Sequence, residues 1–253
     1  MLFPSPLVSG TLLQRYKRFL ADVRLDSGDI ITATCPNTGS MLGLTSPGTR
    51  IWLSTSDSAT RKYRHTWEMV EVDLGRGPSL VGINTGHPNK LVAEAIGQGK
   101  LEALAGYRSL RREVKYGRNS RIDILLEDPN RGACYVEIKN VHMMRKHGLA
   151  EFPDCITERG VKHLAELTGM VRQGHRAVMV YLVQRADARR FTFAPDLDPT
   201  YAAAFTAAHA AGVEAIALRC RLSSEQIVVD REIPIGARSG TRGSRGTAGA
   251  STA

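Results

Sequence analysis

The residues best placed to do chemistry lie between Arg111 and Asn140, in RREVKYGRNSRIDILLEDPNRGACYVEIKN. In RIDILL, Ile122, Ile124 and Leu126 share one parity and Arg121 and Asp123 the other. In CYVEIK, Val136 and Ile138 share one parity, and Tyr135, Glu137 and Lys139 the other. Side chains two apart on a strand emerge on the same face, so Glu137 and Lys139 stand side by side if this segment is extended. Between the two runs, Glu127 to Gly132 is rich in Pro, Asn and Gly and reads as a hairpin connection. Folding the strands together brings Asp123 beside Glu137, with Lys139 one pleat further on.

Two carboxylates at close range repel, and one is driven to protonate unless a cation joins them. Mg²⁺ (or Mn²⁺) suits such a pair, because it takes hard oxygen ligands and keeps several waters. Water activated there, beside the Lys139 ammonium, is a nucleophile for a phosphodiester. Glu113, ahead of Asp123 in the preceding segment, is a further candidate for the set. Asp, Glu and Lys alternating with apolar residues is also how any half-exposed strand reads, so spacing alone is a weak motif.

Glu113, Asp123 and Glu137-Ile138-Lys139 resemble the acidic core of the PD-(D/E)XK nuclease superfamily. The longer wording, EVKYGRNSRIDILL followed by CYVEIKNV and FPDCITERGVKHLAEL, resembles the sugar fermentation stimulation protein family. The likeness runs from RYKRFLADV at Arg15 to the GVEAIAL segment near Leu218. One departure is that Ile122, not proline, precedes Asp123. The resemblance implies an α/β (α+β) chain: a small N-terminal OB-like β-barrel, then a PD-(D/E)XK nuclease-like mixed-sheet domain. It implies DNA as the partner, Asp123 and Glu137 as metal ligands, Lys139 and Glu113 as catalytic groups, and Gln184 at the end of a buried strand near the metal. The family's name implies a link to sugar utilisation.

Bulk composition bounds the class. With 253 residues, 42% hydrophobic and 23% charged, the chain has enough apolar material for a sizeable core. No apolar run approaches the ~18 residues of a membrane span, and MLFPSPLVSG lacks the basic and apolar regions of a secretory signal. Cysteines 35, 134, 155 and 220 show no zinc spacing and are expected as reduced thiols of a cytoplasmic protein with no membrane partner.

The formal charge is +9, and from Arg108 to Arg121 six basic residues face Glu113 alone. Such a stretch draws phosphate backbones by Coulomb attraction and counterion release. Arg111, Arg112, Lys115, Arg118 and Arg121 are therefore candidate nucleic-acid contacts, with Arg15, Lys17 and Arg18 on the barrel.

The expected organisation is an OB-like DNA-binding unit over residues 1–80, a nuclease-like α/β unit over 81–235, and a disordered Arg/Gly/Ser tail over 236–253. In the first unit, Arg15–Leu25 is read as one strand, Ile30–Thr34 as the next, and Arg50–Leu53 and Thr66–Asp73 as later ones. Tyr16, Phe19, Trp52, Tyr63 and Trp67 are read as core before base-stacking platforms. Asn89 is read as a helix N-cap, with Leu91, Val92, Ala95 and Ile96 inward, and His87 as an exposed loop histidine. A helix capped by Asp154 or Thr157 is expected to turn Val161, Leu164, Ala165, Thr168 and Val171 to the sheet, with a Glu158–Lys162 pair outside. His142 and His147 lie near the acidic cluster without being favoured as ligands, since Mg²⁺ prefers oxygen. AVMVYLV at 177–183 is read as a strand buried on both faces, and Asp198 opens an alanine-rich helix. DNA binding with a nuclease-like domain is the resulting reading, with cleavage open. The alternative is a non-catalytic DNA-binding regulator of sugar-utilisation genes. The oligomeric state is left open.

Overall fold

The computed structural model describes residues 1–117 and 120–236. Arg118, and the tail expected beyond 236, fall outside the described residues. The first strands are β1 (Val8–Tyr16), β2 (Leu20–Leu25), β3 (Ile30–Thr34), β4 (Arg50–Thr55), β5 (His65–Asp73) and β6 (Pro78–Gly82). They pair in the order β3-β2-β1-β4-β5-β6, and a short parallel pairing of β3 with β5 closes the first five into a barrel. Alternation fills it: Leu12, Val23, Ala33, Ile51, Leu53, Trp67 and Val70 are all buried inside.

Arg15–Leu25 is not one strand. Lys17 and Arg18 turn the chain with φ of 49° and 64°, so the segment is a hairpin whose first arm begins at Val8. Its loose alternation concealed the turn because neither residue is a glycine or proline. Trp67 is fully buried and donates Nε1–H to the Met69 carbonyl at 2.9 Å, while Phe19 stays half exposed.

The chain then forms α1 (Pro88–Gly97), a 3-10 turn at Glu102–Leu104, β7 (Ser109–Tyr116), β8 (Ser120–Asp128), β9 (Gly132–Val141), β10 (Leu149–Phe152), α2 (Glu158–Arg172), β11 (Arg176–Val183), β12 (Arg190–Phe193), α3 (Pro199–Ala210), β13 (Glu214–Leu222) and β14 (Ile227–Ile233). The second sheet runs β14-β13-β11-β9-β8-β7, parallel where β11 meets β9 and β13 and antiparallel elsewhere. β11 is its centre. Ala177 to Val183 are fully buried, with Met179, Tyr181 and Val183 facing the α2/α3 side and Val178, Val180 and Leu182 facing α1. Each such side chain contributes about 1.5–3 kcal/mol on leaving water, so this strand anchors the sheet.

Helix boundaries refine several expectations. Pro88 occupies the first turn of α1, where its missing N–H costs nothing, and His87 is the N-cap. Asn89 is therefore inside the helix, free to use its amide elsewhere. Thr157 caps α2, its Oγ1 accepting from Gly160 N at 3.1 Å. Its sheet-facing stripe is Gly160, His163, Leu164, Leu167 and Met170. The expected stripe of Val161, Ala165 and Thr168 instead borders a groove against α3, where Ala204, Ala207 and Ala208 line the other wall. A helix packed on two sides has two apolar stripes, and the sequence reading took the second for the first. Lys162 lies 3.8 Å from Glu166, the carboxylate one turn on, in place of the expected Glu158 pairing. Asp198 caps α3 by accepting from Tyr201 N at 2.9 Å.

Two of the contacts between the barrel and the second sheet bear on the site. Gly82 at the end of β6 donates its N–H to the Gln184 carbonyl at 2.9 Å, just past β11. Asp154 accepts from Ser40 Oγ at 3.0 Å and Met41 N at 3.1 Å, with His142 Nε2 at 3.3 Å. Burial works against the Asp154 carboxylate, but His142, Ser40 and the Met41 amide hold its pKa well below the usual range.

Candidate active site

β8 and β9 bring the acidic residues together, and they do so where their ladder opens. Ile124 pairs with Val136 and Leu125 with Tyr135. The same register sets Asp123 across from Glu137. There Asp123 Oδ2 itself accepts the Ile138 N–H at 2.7 Å, replacing a strand partner with a side chain. On the other flank, β7 pairs Arg112 with Ile124 and Val114 with Ile122, which sets Glu113 across from Asp123. Glu113 has φ 55°, in the left-handed region, and is exposed. The Asn89 amide bridges the two, donating to Asp123 Oδ1 at 2.8 Å and to Glu113 Oε1 at 2.9 Å. One helix end and three strands thus converge on Asp123.

Lys139 lies two residues beyond Glu137 on the same face, and its Nζ donates to Glu137 Oε1 at 2.8 Å. From α2, His163 brings Nδ1 within 3.1 Å of Lys139 Nζ and into direct contact with Glu137 Oε1. Arg159, one turn earlier, donates to His163 Nε2 at 3.3 Å. Glu137 is 2% exposed and His163 5%, so this is a buried, hydrogen-bonded cluster. Sequence reasoning missed His163. Its signal was a polar residue at helical spacing with Leu164 and Leu167, visible only once the inward stripe of α2 is known.

The electrostatics divide the two carboxylates. Burial, then the negative charge of Glu137, push the Asp123 pKa from 3.8 up to about 6, against the Ile138 amide, Asn89 and Lys139. Burial also opposes ionisation of Glu137, but His163 and Lys139 outweigh it and hold that carboxylate below its usual range. The Tyr116 hydroxyl is raised by its own burial and then by the nearby charges of Glu137, Glu166 and Asp123. Glu137 Oε2 and both Glu166 oxygens are buried without a hydrogen-bond partner. Within the Asp123–Glu137 pair, Glu137 Oε2 is the one oxygen left without a partner, which leaves the pair one ligand short.

That deficit is the test of whether a cation fits. Among the described residues, no three His, Cys, Asp or Glu side chains are grouped to hold a metal. A pair of carboxylates with one oxygen unused fits a hard, hydrated ion that fills its remaining positions with water and substrate.

The other sequence-derived candidates are placed as follows. Gln184 is fully buried. Its Nε2 donates to Asn140 Oδ1 at 2.8 Å and lies 3.4 Å from the Asn84 carbonyl, while its Oε1 has no partner. Arg111 pairs with Glu127 at 2.8 Å, and Arg121 donates to the Glu113 carbonyl at 3.2 Å. Arg112 and Lys115 are exposed on β7. Arg15 folds back onto the carbonyls of Arg18, Asn37 and Gly39 and so holds the barrel rim, while Lys17 and Arg18 sit exposed at the hairpin tip. His87 is not an exposed loop residue: its Nε2 lies 2.7 Å from Glu68 Oε2, a carboxylate on β5 that is 4% exposed. The four cysteines are free thiols, Cys155 exposed. Among the described residues, no helix is long and apolar enough to cross a membrane.

Comparison with known proteins follows the same division of the chain. The family model described as the sugar fermentation stimulation protein RE domain matches residues 86–226, and the SfsA N-terminal OB domain model matches residues 13–83. The sugar fermentation stimulation protein homolog of Azorhizobium caulinodans is 60% identical over 93% of this chain and 99% of its own length. That of Rhodospirillum centenum is 57% identical over 94% of this chain and all of its own. Among solved structures, Pyrococcus furiosus SfsA in complex with Ca²⁺ superposes with a TM-score of 0.82 at 31% identity, covering 94% of this chain and 98% of that one. An OB-like barrel followed by a mixed-sheet α/β domain, the RE domain of the family, is the fold.

Proposed function

The chain belongs to the sugar fermentation stimulation protein family, and on that premise we propose that it binds DNA and hydrolyses its phosphodiester bonds with a divalent cation, Mg²⁺ or Mn²⁺. The observation that carries this reading is the pairing of Asp123 with Glu137 beneath Lys139, with Glu137 Oε2 buried and unpartnered. A scaffold gains nothing from setting two carboxylates together in a desolvated spot, whereas phosphoryl transfer needs a cation held there. P. furiosus SfsA, 31% identical to this chain, is a complex with Ca²⁺, a hard divalent ion of the kind proposed here.

Asp123 and Glu137 would hold the ion, which when bound neutralises the pair and supplies Lewis acidity at a phosphoryl oxygen. Asn89 and the Ile138 amide fix the Asp123 carboxylate, leaving it little freedom to swing away from substrate. Glu137, itself gripped by His163, holds Lys139, whose ammonium orients attacking water and meets charge developing on the phosphate. The basic edge of β7, with Arg112 and Lys115, and the barrel tip at Lys17 and Arg18 offer phosphate contacts to either side.

Single-stranded, linear and supercoiled DNA incubated with Mg²⁺, Mn²⁺ or EDTA, with binding read on the same samples by gel shift, tests this. Cleavage that needs metal and disappears in Asp123→Ala and Glu137→Ala supports hydrolysis. DNA retained in EDTA with no cutting under either metal would refute hydrolysis and leave a binding protein.

A further inference from the structure

A second polar site lies on a neighbouring face of the first turn of α1. It is a cleft of about 520 Å³ between the amino-terminal segment, the loop joining β4 to β5, and the start of the helix, and its walls include Phe3, Ser54, Arg61, Glu68, His87 and Lys90. None of these residues takes part in the carboxylate cluster. We propose that this cleft binds a phosphomonoester carried on a nucleoside, as a free nucleotide or as the phosphorylated end of a DNA strand.

The floor is a buried network. Glu68 accepts from Ser54 Oγ at 2.6 Å and from Asn84 Nδ2 at 2.7 Å, and its Oε2 meets His87 Nε2 at 2.7 Å. Because Glu68 is an acceptor, the proton of His87 sits on Nε2, and Nδ1 becomes the ring's remaining polar atom. Phe3 meets the same ring edge-on, with centroids 6.1 Å apart. One wall therefore combines an aromatic surface suited to a base with a fixed imidazole. Two cations complete it. Lys90 and Arg61 are exposed, and neither has an ion pair among the described residues; the Arg61 guanidinium donates only to Thr66 Oγ1, at 3.2 Å. The cleft also carries the exposed Asp57 carboxylate, 4.0 Å from Arg64, and His87 presents Nδ1 as an acceptor, so Lys90 and Arg61 are the groups that would meet a dianionic phosphate in preference to a neutral sugar or an internal diester, which carries one charge less. The volume suits one nucleotide.

Position links the cleft to the cluster. Asn89 faces Asp123, and Lys90, the next residue on the helix, faces the cleft. Consecutive helical residues point about 100° apart, so the two sites lie on neighbouring faces of the same helical turn, within reach of one strand. A strand end seated against Lys90 would set which internucleotide bond reaches the carboxylates. In that form the inference rests on the DNA reading above; the nucleotide form does not.

The test uses the intact protein in EDTA and fluorescence anisotropy with labelled single-stranded 12-mers bearing a 5′-phosphate, a 3′-phosphate or hydroxyls at both ends, with deoxynucleoside monophosphates as competitors. A terminal phosphate is expected to tighten binding about tenfold, the value of one charge-assisted hydrogen bond, and Lys90→Ala and Arg61→Ala to abolish that gain. Competition by the free nucleotide, reduced in the same variants, identifies the nucleotide as a ligand in its own right. Nucleotide binding without DNA binding keeps the cleft and refutes the DNA reading. DNA binding indifferent to the end group, with no nucleotide competition, keeps the DNA reading and overturns the cleft. A preference that survives both substitutions also overturns it. Lys90 and Arg61 are surface residues, so loss of fold does not cloud the comparison.

Discussion

Replacing Asp123 by asparagine should make the metal-free protein more stable, because the native carboxylate is held where it does not want to be charged. Its folded pKa is about 6 against 3.8 when free, the result of burial and of Glu137 beside it. A carboxyl with a raised folded pKa penalises folding above its unfolded value. The penalty is absent below pH 3.8, grows up to about pH 6 and is complete above that. The difference in pKa corresponds to about 3 kcal/mol at neutral pH and about 1 kcal/mol near pH 4.5. Asparagine keeps an oxygen for the Ile138 N–H, while turning the Asn89 amide to face the new NH₂ gives up its bond to the exposed Glu113, which trims the gain. Urea unfolding in EDTA at about pH 7.5 should therefore show Asp123→Asn the more stable, by up to about 3 kcal/mol, with the gain shrinking toward pH 4.5. Mg²⁺ at a hundredfold excess over its Kd should add about 2.7 kcal/mol to the native protein and little to the variant, narrowing or reversing the order. A variant less stable than the native protein in EDTA at neutral pH would refute the reasoning, as would a gain independent of pH.

Lys139→Ala should leave DNA binding within a few-fold while slowing cleavage by about a hundredfold or more, in single-turnover assays with Mg²⁺. Loss of binding in proportion to activity would make Lys139 a contact and not a chemical group. His163→Ala removes the buried partner of Glu137 and should cost about 1–3 kcal/mol by denaturant unfolding at neutral pH. An unchanged midpoint would show that Lys139 alone satisfies the carboxylate. Gly82→Ala sets a Cβ 2.6 Å from Gln184 Oε1 and 3.1 Å from its Cβ, inside the contact joining barrel to sheet. A cost of about 1–3 kcal/mol in thermal unfolding is expected, and wild-type stability would mean that the Gln184 side chain moves freely.

The sequence by itself determined the elements whose patterns are locally complete. RIDILL and CYVEIK carry the alternation of half-buried strands with a hairpin between them, which sufficed to set Asp123 across from Glu137 and Lys139 beside it. AVMVYLV is apolar at every position, as a strand covered on both faces requires, and its shortness and β-branched content favour strand over helix. Elsewhere local pattern misled, because the deciding partner lies far along the chain. Asn89 looks like an N-cap until Glu113 and Asp123 arrive from the sheet to take its amide, and Asp154 looks like one until Ser40 and Met41 of the barrel claim it. α2 shows two apolar stripes, and only the packing of α3 decides which faces the sheet, hence that His163 enters the cluster. His87 reads as a solvated loop residue for the same reason: Glu68, nineteen residues away on β5, is what holds it. Strand periodicity is a property of neighbours in sequence, whereas the choice of polar partner belongs to the tertiary fold, because a buried polar group bonds to whatever long-range packing brings within reach.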